Sequence, residues 1–210
     1  MLLWINGPFG GGKTQTAYEI RRRLPGSVVC DPEHAGFGLR RMLPSELRGD
    51  FQDLVSWRQG VVEVLDLALR QHDGVVIAPM TVTDPVYFAE TVGRLRELGH
   101  DVRHFTLLAG RGTILRRLRE RGPGHLLGFA LGSNAGLRRE TWAVRRLDHC
   151  LERLREPEFA EHLWTDRTTV PKTADRIAVL AGLTLEPHTG GALRTRLRQA
   201  GVGIRHIRFD

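Results

Sequence analysis

Short apolar runs alternate along this chain with longer segments whose apolar residues recur at helical spacing. The short runs predict five strands, at residues 2–6, 27–31, 74–80, 101–109 and 162–166. The longer segments predict helices at residues 14–24, 84–99, 112–122 and 173–183, with two or three more between 37 and 71. The third short run, GVVIAPM, is apolar throughout, as expected for a strand buried inside a parallel sheet.

This alternation predicts one α/β domain over residues 1–210, with a parallel sheet between layers of helices. Ligands of such folds bind at the carboxyl ends of the strands. Residues 122–136 carry five glycines between arginine-rich flanks, which predicts a helical lid over about 111–146. A basic tail follows at about 190–210.

The turn after the first strand carries the clearest chemical motif in the chain. Its sequence, NGPFGGGKTQT, fits G-x-x-x-x-G-K-[ST], the phosphate-binding loop or P-loop. A chain of this composition would match those fixed positions by chance roughly once in 500. The predicted nucleotide-binding residues are Gly7, Phe9, Gly10, Gly11, Gly12, Lys13, Thr14 and Gln15.

Each residue type in this motif has a chemical reason. Glycines let backbone N–H groups turn inward around phosphate oxygens, and the following helix adds its positive end. Lys13 can reach the β- and γ-phosphates, and the Thr14 hydroxyl is placed to bind Mg²⁺. The motif therefore predicts a nucleotide and Mg²⁺ as cofactors.

Two missing motifs narrow the class of nucleotide-binding protein. The segment PKTAD at 171–175 does not match the guanine-binding motif N-K-x-D, so ATP is the expected nucleotide. A motor-type or AAA-type ATPase needs adjacent acidic residues after an apolar strand, whereas the third strand runs into PMT. These absences favour a small-molecule kinase, in which catalysis depends on positioning, Mg²⁺ and arginines.

Acidic residues follow the second strand, at the sheet edge where the P-loop is expected. Asp31 is predicted to orient an acceptor hydroxyl as a base and to contact Mg²⁺ through water, and Glu33 is a second candidate. The alternative is that the DPE sequence simply caps the next helix.

Arginines crowd residues 111–121 and return at 138–146, on both sides of the glycine-rich stretch. Planar guanidinium groups suit the charge that spreads over a phosphoryl group during transfer. Arg117, Arg121 and Arg145 are the predicted catalytic arginines of the lid.

The net charge of +7 comes from 31 basic and 24 acidic residues, and only Lys13 and Lys172 are lysines. A basic protein can bind nucleic acid, an anionic membrane surface or an anionic substrate. The P-loop favours a nucleotide as the anionic ligand. Binding of nucleic acid is supported by the net charge alone, so we do not expect it. The basic tail permits peripheral membrane contact. Cys30 and Cys150 lack metal-binding spacing, so we expect both to be reduced thiols. No basic leader precedes the first strand, and no apolar run is long enough to span a membrane, so we expect a cytoplasmic protein.

Together these stretches resemble the tunicamycin resistance protein family of bacterial P-loop ATP-binding proteins. The stretches that carry the resemblance are WINGPFGGGKTQTA, DPEHAGFGLR, DFQDLVSWR, VIAPMTVTDPVYF, RHFTLLA, LRRLRERG and RRLDHCLERL. The P-loop alone is generic, and GFGLR, SWR and PMTV make the resemblance specific. It extends over nearly the whole chain, and residues 122–141 depart from it by being longer and richer in glycine.

The resemblance implies an ATP-binding protein that protects its host against tunicamycin, a nucleoside antibiotic with a uracil head, sugars and a fatty acyl chain. It implies an acceptor side that includes Asp31, Phe37, Arg40, Gln52, Trp57, Arg58 and Thr81, with Glu33 beside them. A tryptophan at position 57 fits the hydrophobic core equally well.

The sequence thus predicts a three-layer P-loop NTPase fold with a five-stranded parallel sheet, similar to nucleoside and shikimate kinases. The predicted activity is ATP-dependent phosphoryl transfer to the antibiotic. The alternative is a protein that binds ATP and sequesters the drug without phosphoryl transfer. A monomer and a homodimer both stay open.

Overall fold

A computed structural model describes residues 1–120 and 147–188. Its sheet has five parallel strands in the order β2-β3-β1-β4-β5, which confirms the predicted fold class. The strands are β1 Leu2–Asn6, β2 Val28–Val29, β3 Val76–Pro79, β4 Val102–Leu108 and β5 His162–Trp164. Strand β1 has the predicted bounds and the other four are shorter than predicted; β2 and β5 lie at the sheet edges, where each pairs with only one neighbour.

Strand β1 is the centre of the molecule, since it pairs with β3 on one side and β4 on the other. All five of its residues are fully buried. Leu2 and Trp4 face one core, which contains Trp57, and Leu3 and Ile5 face the other. The alternation of side chains along the strand therefore builds two cores, one on each face of the sheet.

Helices cover both faces and complete the three layers. Their bounds are α1 Lys13–Arg23, α2 Pro32–Met42, α3 Val55–Gln71, α4 Pro85–Phe88, α5 Arg94–Glu97, α6 Arg111–Arg119 and α7 Val170–Leu180. A π-helical turn, Ala89–Gly93, joins α4 to α5, and residues 147–153 are also helical. Among the described residues, no helix has both the length and the apolar character needed to cross a bilayer.

The helix after β2 begins earlier than predicted. Helical structure was expected from residue 37, whereas α2 begins at Pro32. The Asp31 carboxylate accepts a hydrogen bond from the Glu33 N–H at 3.0 Å and caps the helix, while proline supplies a first-turn residue that has no N–H to satisfy. The rest of the 37–71 region holds two 3₁₀ turns, Ser45–Leu47 and Phe51–Asp53, and then α3.

Several predictions fall on residues outside the described part of the chain. They are the lid arginines Arg121 and Arg145, the glycine-rich stretch 122–136 and the basic tail at 190–210. The catalytic roles and the membrane contact assigned to them stay predictions.

Two glycines of α2 meet different surroundings. A Cβ added at Gly36 would lie 2.5 Å from Phe51 Cγ, whereas a Cβ at Gly38 would meet nothing within 4 Å. We expect Gly36→Ala to destabilise the protein by about 1–3 kcal/mol, since the ring has to move. Gly38→Ala is the matched control and should stabilise it by up to about 1 kcal/mol through helix propensity. Urea denaturation measures both, and equal effects of the two substitutions would contradict this packing.

Burial also controls the ionisation of His104 on β4. Its Nδ1 donates to the Ala160 carbonyl at 2.9 Å, and the Phe88 ring centroid lies 4.6 Å from the imidazole. Burial lowers the pKa of His104 from 6.5 to about 4. The imidazole is therefore neutral in the folded protein at pH values where the unfolded chain already binds a proton.

This pKa shift predicts a pH-dependent stability. Because the folded-state pKa lies below the unfolded one, the free energy of unfolding should fall as the pH drops from about 6.5 to about 4, by about 3 kcal/mol in total. Urea denaturation at a series of pH values measures this slope. In His104→Gln the slope over this window should largely disappear, and an unchanged slope would show that another group causes it.

Candidate functional site

The P-loop connects the carboxyl end of β1 to the first residue of α1. Gly12 has a φ of 94°, in the left-handed region that favours glycine, and it is the N-cap of α1. The Gly11 N–H donates to the Pro8 carbonyl at 2.9 Å and closes a tight turn inside the loop. The loop is therefore already folded around the positive end of an eleven-residue helix.

Lys13 is held over this loop. Its side chain is buried, its Nζ donates to the Pro8 carbonyl at 3.1 Å, and the ammonium group lies 5.6 Å from the centroid of the Phe9 ring. The ammonium charge thus lies at the loop itself, together with the positive end of α1. This combination attracts a phosphate group.

Asn6 fixes the start of the loop, and sequence reasoning did not identify it. Its Nδ2 donates to the Val82 carbonyl at 2.8 Å, and its Oδ1 accepts from the N–H groups of Gly7 at 2.8 Å and Val82 at 3.0 Å. The carboxamide therefore joins the end of β1 to the segment after β3. The only signal in the sequence was an amide residue at the end of an otherwise apolar strand.

Thr81 supports the loop from the same side. It is buried, and its hydroxyl donates to the Gly7 carbonyl at 2.8 Å. Gly7 itself is tightly enclosed, since a Cβ there would lie 2.7 Å from the Leu107 carbonyl oxygen of β4. The structure thus places Thr81 beneath the P-loop, as a support for Gly7.

An Mg·ATP ligand fits the residues at this edge of the sheet. The folded loop, Lys13 and the start of α1 suit the phosphates, and the Thr14 hydroxyl stands in the first turn of α1, where it would bind the metal. Nowhere in the described ranges do three His, Cys, Asp or Glu side chains form a metal-binding group. Mg²⁺ keeps several waters and takes few ligands from the protein, so one hydroxyl at the start of α1 is the kind of ligand that it uses.

Asp31 lies at the same sheet edge as the P-loop, because β2 and β1 are parallel. Only β3 separates their strands, whose axes therefore lie about 10 Å apart. One Asp31 oxygen caps α2, as the alternative interpretation expected. The cap bond fixes the orientation of the carboxylate. Because a carboxylate accepts several hydrogen bonds, capping is compatible with a role as a base, which stays a prediction.

Two predicted acceptor residues are packed into the protein. Trp57 is fully buried, and its indole N–H donates to the Pro32 carbonyl at 3.0 Å, so it belongs to the core. Arg58 is also buried; it donates to the Glu90 carboxylate and the Gln52 carbonyl, and its guanidinium lies 4.3 Å from the centroid of the Tyr87 ring. These contacts hold the turn at Phe51–Asp53 against α3 and the π-helical turn.

Other predicted acceptor residues do meet at a cavity. Phe37 and Arg40 line it together with Arg41 and Arg48. Phe37 packs edge-on against Phe51, with 5.3 Å between the ring centroids. Glu33 is buried in the first turn of the same helix.

Arg117 is the one predicted lid arginine in the described region. Its guanidinium donates to the Thr165 hydroxyl at 3.0 Å and the Thr165 carbonyl at 2.6 Å. Burial lowers its pKa, and the Asp166 carboxylate opposes that shift. Asp166 in turn accepts a hydrogen bond from the Gly110 N–H at 2.9 Å. The bonds from Arg117 to Thr165 hold α6 against the end of β5.

The chain matches known proteins at the level of family and fold. A family model described as an AAA domain matches residues 2–125, more than half of the chain, although the third strand runs into PMT and lacks the adjacent acidic residues expected of an AAA-type ATPase. The tunicamycin resistance protein of Deinococcus radiodurans has a similar structure, with a TM-score of 0.71 and 32% sequence identity over 89% of this chain and 99% of that one. A comparison with curated proteins found no match.

More distant solved structures share the fold. A sugar kinase from Janibacter has a TM-score of 0.56 and 17% identity over 89% of this chain and 98% of that one. The shikimate kinase of Bacteroides thetaiotaomicron has a TM-score of 0.55 and 17% identity over 87% of this chain and 99% of that one. The chain therefore has the three-layer fold of P-loop kinases.

The hydrogen bond from Thr81 to the P-loop predicts that a substitution of Thr81 lowers both stability and nucleotide affinity. Thr81→Val keeps the shape but leaves the Gly7 carbonyl without its donor, which should cost about 1–3 kcal/mol in stability. Affinity for an ATP analogue should also fall, since the loop loses a support. Thr81→Ser is the control and should retain both properties. Calorimetric titration of the three proteins tests this, and normal affinity in Thr81→Val would contradict the supporting role.

Proposed function

Since the chain belongs to the tunicamycin resistance protein family, within the larger AAA domain family, we propose that it is an ATP- and Mg²⁺-dependent phosphotransferase that acts on tunicamycin or a related nucleoside antibiotic. One observation carries the proposal beyond the family: a folded P-loop with a buried lysine shares a sheet edge with a carboxylate held at a helix N-terminus. This pairing provides a place for a phosphoryl donor and a group to orient its acceptor.

The residues of the P-loop bind the nucleotide and orient it. Lys13 and the loop amides hold the phosphates, and the Thr14 hydroxyl holds Mg²⁺. Bound Mg·ATP supplies the phosphoryl group and neutralises part of its charge. Asn6 and Thr81 keep the loop in place, so that little reorganisation is needed when the nucleotide binds.

Asp31 acts on the acceptor. Its carboxylate accepts the proton of the attacking hydroxyl, while the hydrogen bond from the Glu33 N–H fixes its direction. With the Thr14 hydroxyl, it would hold Mg²⁺ through water. Arg117, with Arg121 and Arg145 of the predicted lid, contributes positive charge toward the transferring group.

A second candidate function is sequestration of the antibiotic with ATP bound but no phosphoryl transfer. The cap bond at Asp31 favours this candidate, because it gives the carboxylate a structural reason to be present. The two functions differ in whether protection requires the chemistry of that side chain.

Substitution of Asp31 separates the two candidates. Asn caps helices about as well as Asp, so Asp31→Asn should keep the fold. A phosphotransferase should lose about 10²- to 10⁴-fold in rate, and host cells should lose most of their protection against tunicamycin. Protection and drug-dependent ATP consumption are measured together, and full protection in Asp31→Asn would favour sequestration.

Asp84→Asn is the matched control. Asp84 also precedes a proline and caps a helix, where its carboxylate accepts from the N–H groups of Val86 at 2.7 Å and Tyr87 at 3.3 Å. This variant should retain both protection and ATP consumption. Lys13→Ala should lose nucleotide binding and protection under either function.

A further inference from the structure

A cavity of about 250 Å³ lies at the end of α2, and its walls are wholly apolar. Phe37, Arg40, Arg41 and Arg48 line it. Because the walls are apolar, the arginines contribute their methylene stems, as long charged side chains do where they cover apolar surface. A concave surface of carbon atoms favours a hydrocarbon ligand, since a polar group would lose its water there without gaining a partner on the walls.

Arg48 shows how a charged side chain forms part of an apolar wall. Its Nε donates to the Leu43 carbonyl at 3.0 Å, just past the end of α2. The 3₁₀ turn at Ser45–Leu47 brings Arg48 back to the helix end. The bond turns Nε toward the backbone and holds the methylene stem beside the helix.

The aromatic wall is fixed by ring contacts that reach the core. Phe37 packs edge-on against Phe51, with 5.3 Å between the centroids, and Phe51 packs against Trp57 at 5.4 Å. Trp57 is fully buried. Gly36 allows this close approach, because a Cβ there would lie 2.5 Å from Phe51 Cγ. The wall therefore has its position before a ligand binds, which lowers the entropic cost of binding.

Two exposed apolar side chains adjoin the cavity-lining residues along the chain. Met42 follows Arg41 and is 80% exposed, the highest value for a large apolar side chain in the part of the chain that the structure describes. Leu47 precedes Arg48 and is 63% exposed. Clustered exposed apolar side chains mark binding sites on soluble proteins. The apolar character of the cavity thus continues into the residues next to it.

The size and place of the cavity suit one part of a small molecule. An apolar protein cavity of about 150 Å³ holds benzene, so this cavity has room for roughly ten carbon atoms. Asp31 caps the same helix, α2, at its other end. At 1.5 Å per residue, Phe37 and Arg41 are about 9 and 15 Å along the helix from Asp31. One acceptor molecule of that length can contact both places.

We infer that this cavity binds a hydrocarbon part of the acceptor, while the polar end of the same molecule presents its hydroxyl to Asp31. The inference rests on the proposed function for the role of that hydroxyl. It narrows the acceptor class to amphiphilic molecules, in which an alkyl or acyl chain is attached to a polar part that carries hydroxyl groups. The concave shape favours a single chain over the surface of a bilayer.

Calorimetric titration with neutral amphiphiles tests the inference without requiring phosphoryl transfer. The P-loop is first saturated with Mg²⁺ and a non-hydrolysable ATP analogue. The probes are N-acetyl-, N-hexanoyl-, N-octanoyl- and N-decanoylglucosamine, each kept below the concentration at which it forms micelles. Each added methylene should tighten binding about two- to fourfold, until roughly ten carbons fill the cavity. The heat capacity change of binding should become more negative along the series.

Two variants and a matched control locate the effect. Phe37→Gln removes the aromatic wall, and Met42→Gln/Leu47→Gln replaces the two exposed side chains, which are not part of the core. Each should weaken the binding of N-decanoylglucosamine about tenfold or more and flatten the dependence on chain length. Val64→Gln/Leu67→Gln makes the same kind of change on α3, where the two side chains are also exposed, and should keep the original affinities. If Phe37→Gln does not fold, Met42→Gln/Leu47→Gln decides alone.

The outcomes are distinct from those of the proposed function. Affinities that do not depend on chain length, or a dependence that survives in every folded variant, would overturn the inference. Binding to phosphatidylglycerol vesicles that Met42→Gln/Leu47→Gln abolishes, without a chain-length dependence for the soluble probes, would assign this surface to a membrane and also overturn it. Transfer to tunicamycin is measured separately on the same proteins. A chain-length dependence without transfer would reject the proposed function alone.

Discussion

The hydrogen bonds of the Asn6 carboxamide hold together the part of the molecule on which nucleotide binding depends. Strand β1 is buried on both faces and ends at this residue, so the chain has to leave the core and turn sharply into the P-loop. Asn6 satisfies two backbone N–H groups and one carbonyl that the turn would otherwise leave buried without partners. Thr81 adds a bond to the next peptide group. The loop is thereby attached to the segment after β3 as well as to its own strand, which gives it a fixed position before any ligand binds.

The residues predicted to bind the acceptor are positioned by a capped helix and by buried side chains. Asp31 lies two residues after β2 and caps α2, the helix that carries Phe37 and Arg40. Buried aromatic and charged contacts at Trp57 and Arg58 then hold the following turns against the core. Because both sides start from strands of one sheet, with only β3 between them, the distance between donor and acceptor depends on strand order and little on flexible loops. The same sheet edge therefore serves positioning, which supplies much of the catalysis in phosphoryl transfer.

The sequence predicted the sheet, the P-loop and the family, since apolar runs and a glycine-rich motif are local signals. It placed the start of α2 too late, because capping by Asp31 was only the alternative interpretation, and the capping bond starts the helix five residues before residue 37. The supporting role of Asn6, Thr81 and Arg58 escaped prediction, since each acts through residues distant in sequence: Asn6 and Val82 are 76 positions apart.

The mass of tunicamycin after incubation with the protein and Mg·ATP tests the central claim most directly. A phosphotransferase should convert the antibiotic to a species heavier by one phosphoryl group, with one ADP formed for each product molecule. An unchanged mass, in a sample where tight binding of the drug and of ATP is measured, would contradict phosphoryl transfer and leave sequestration as the function.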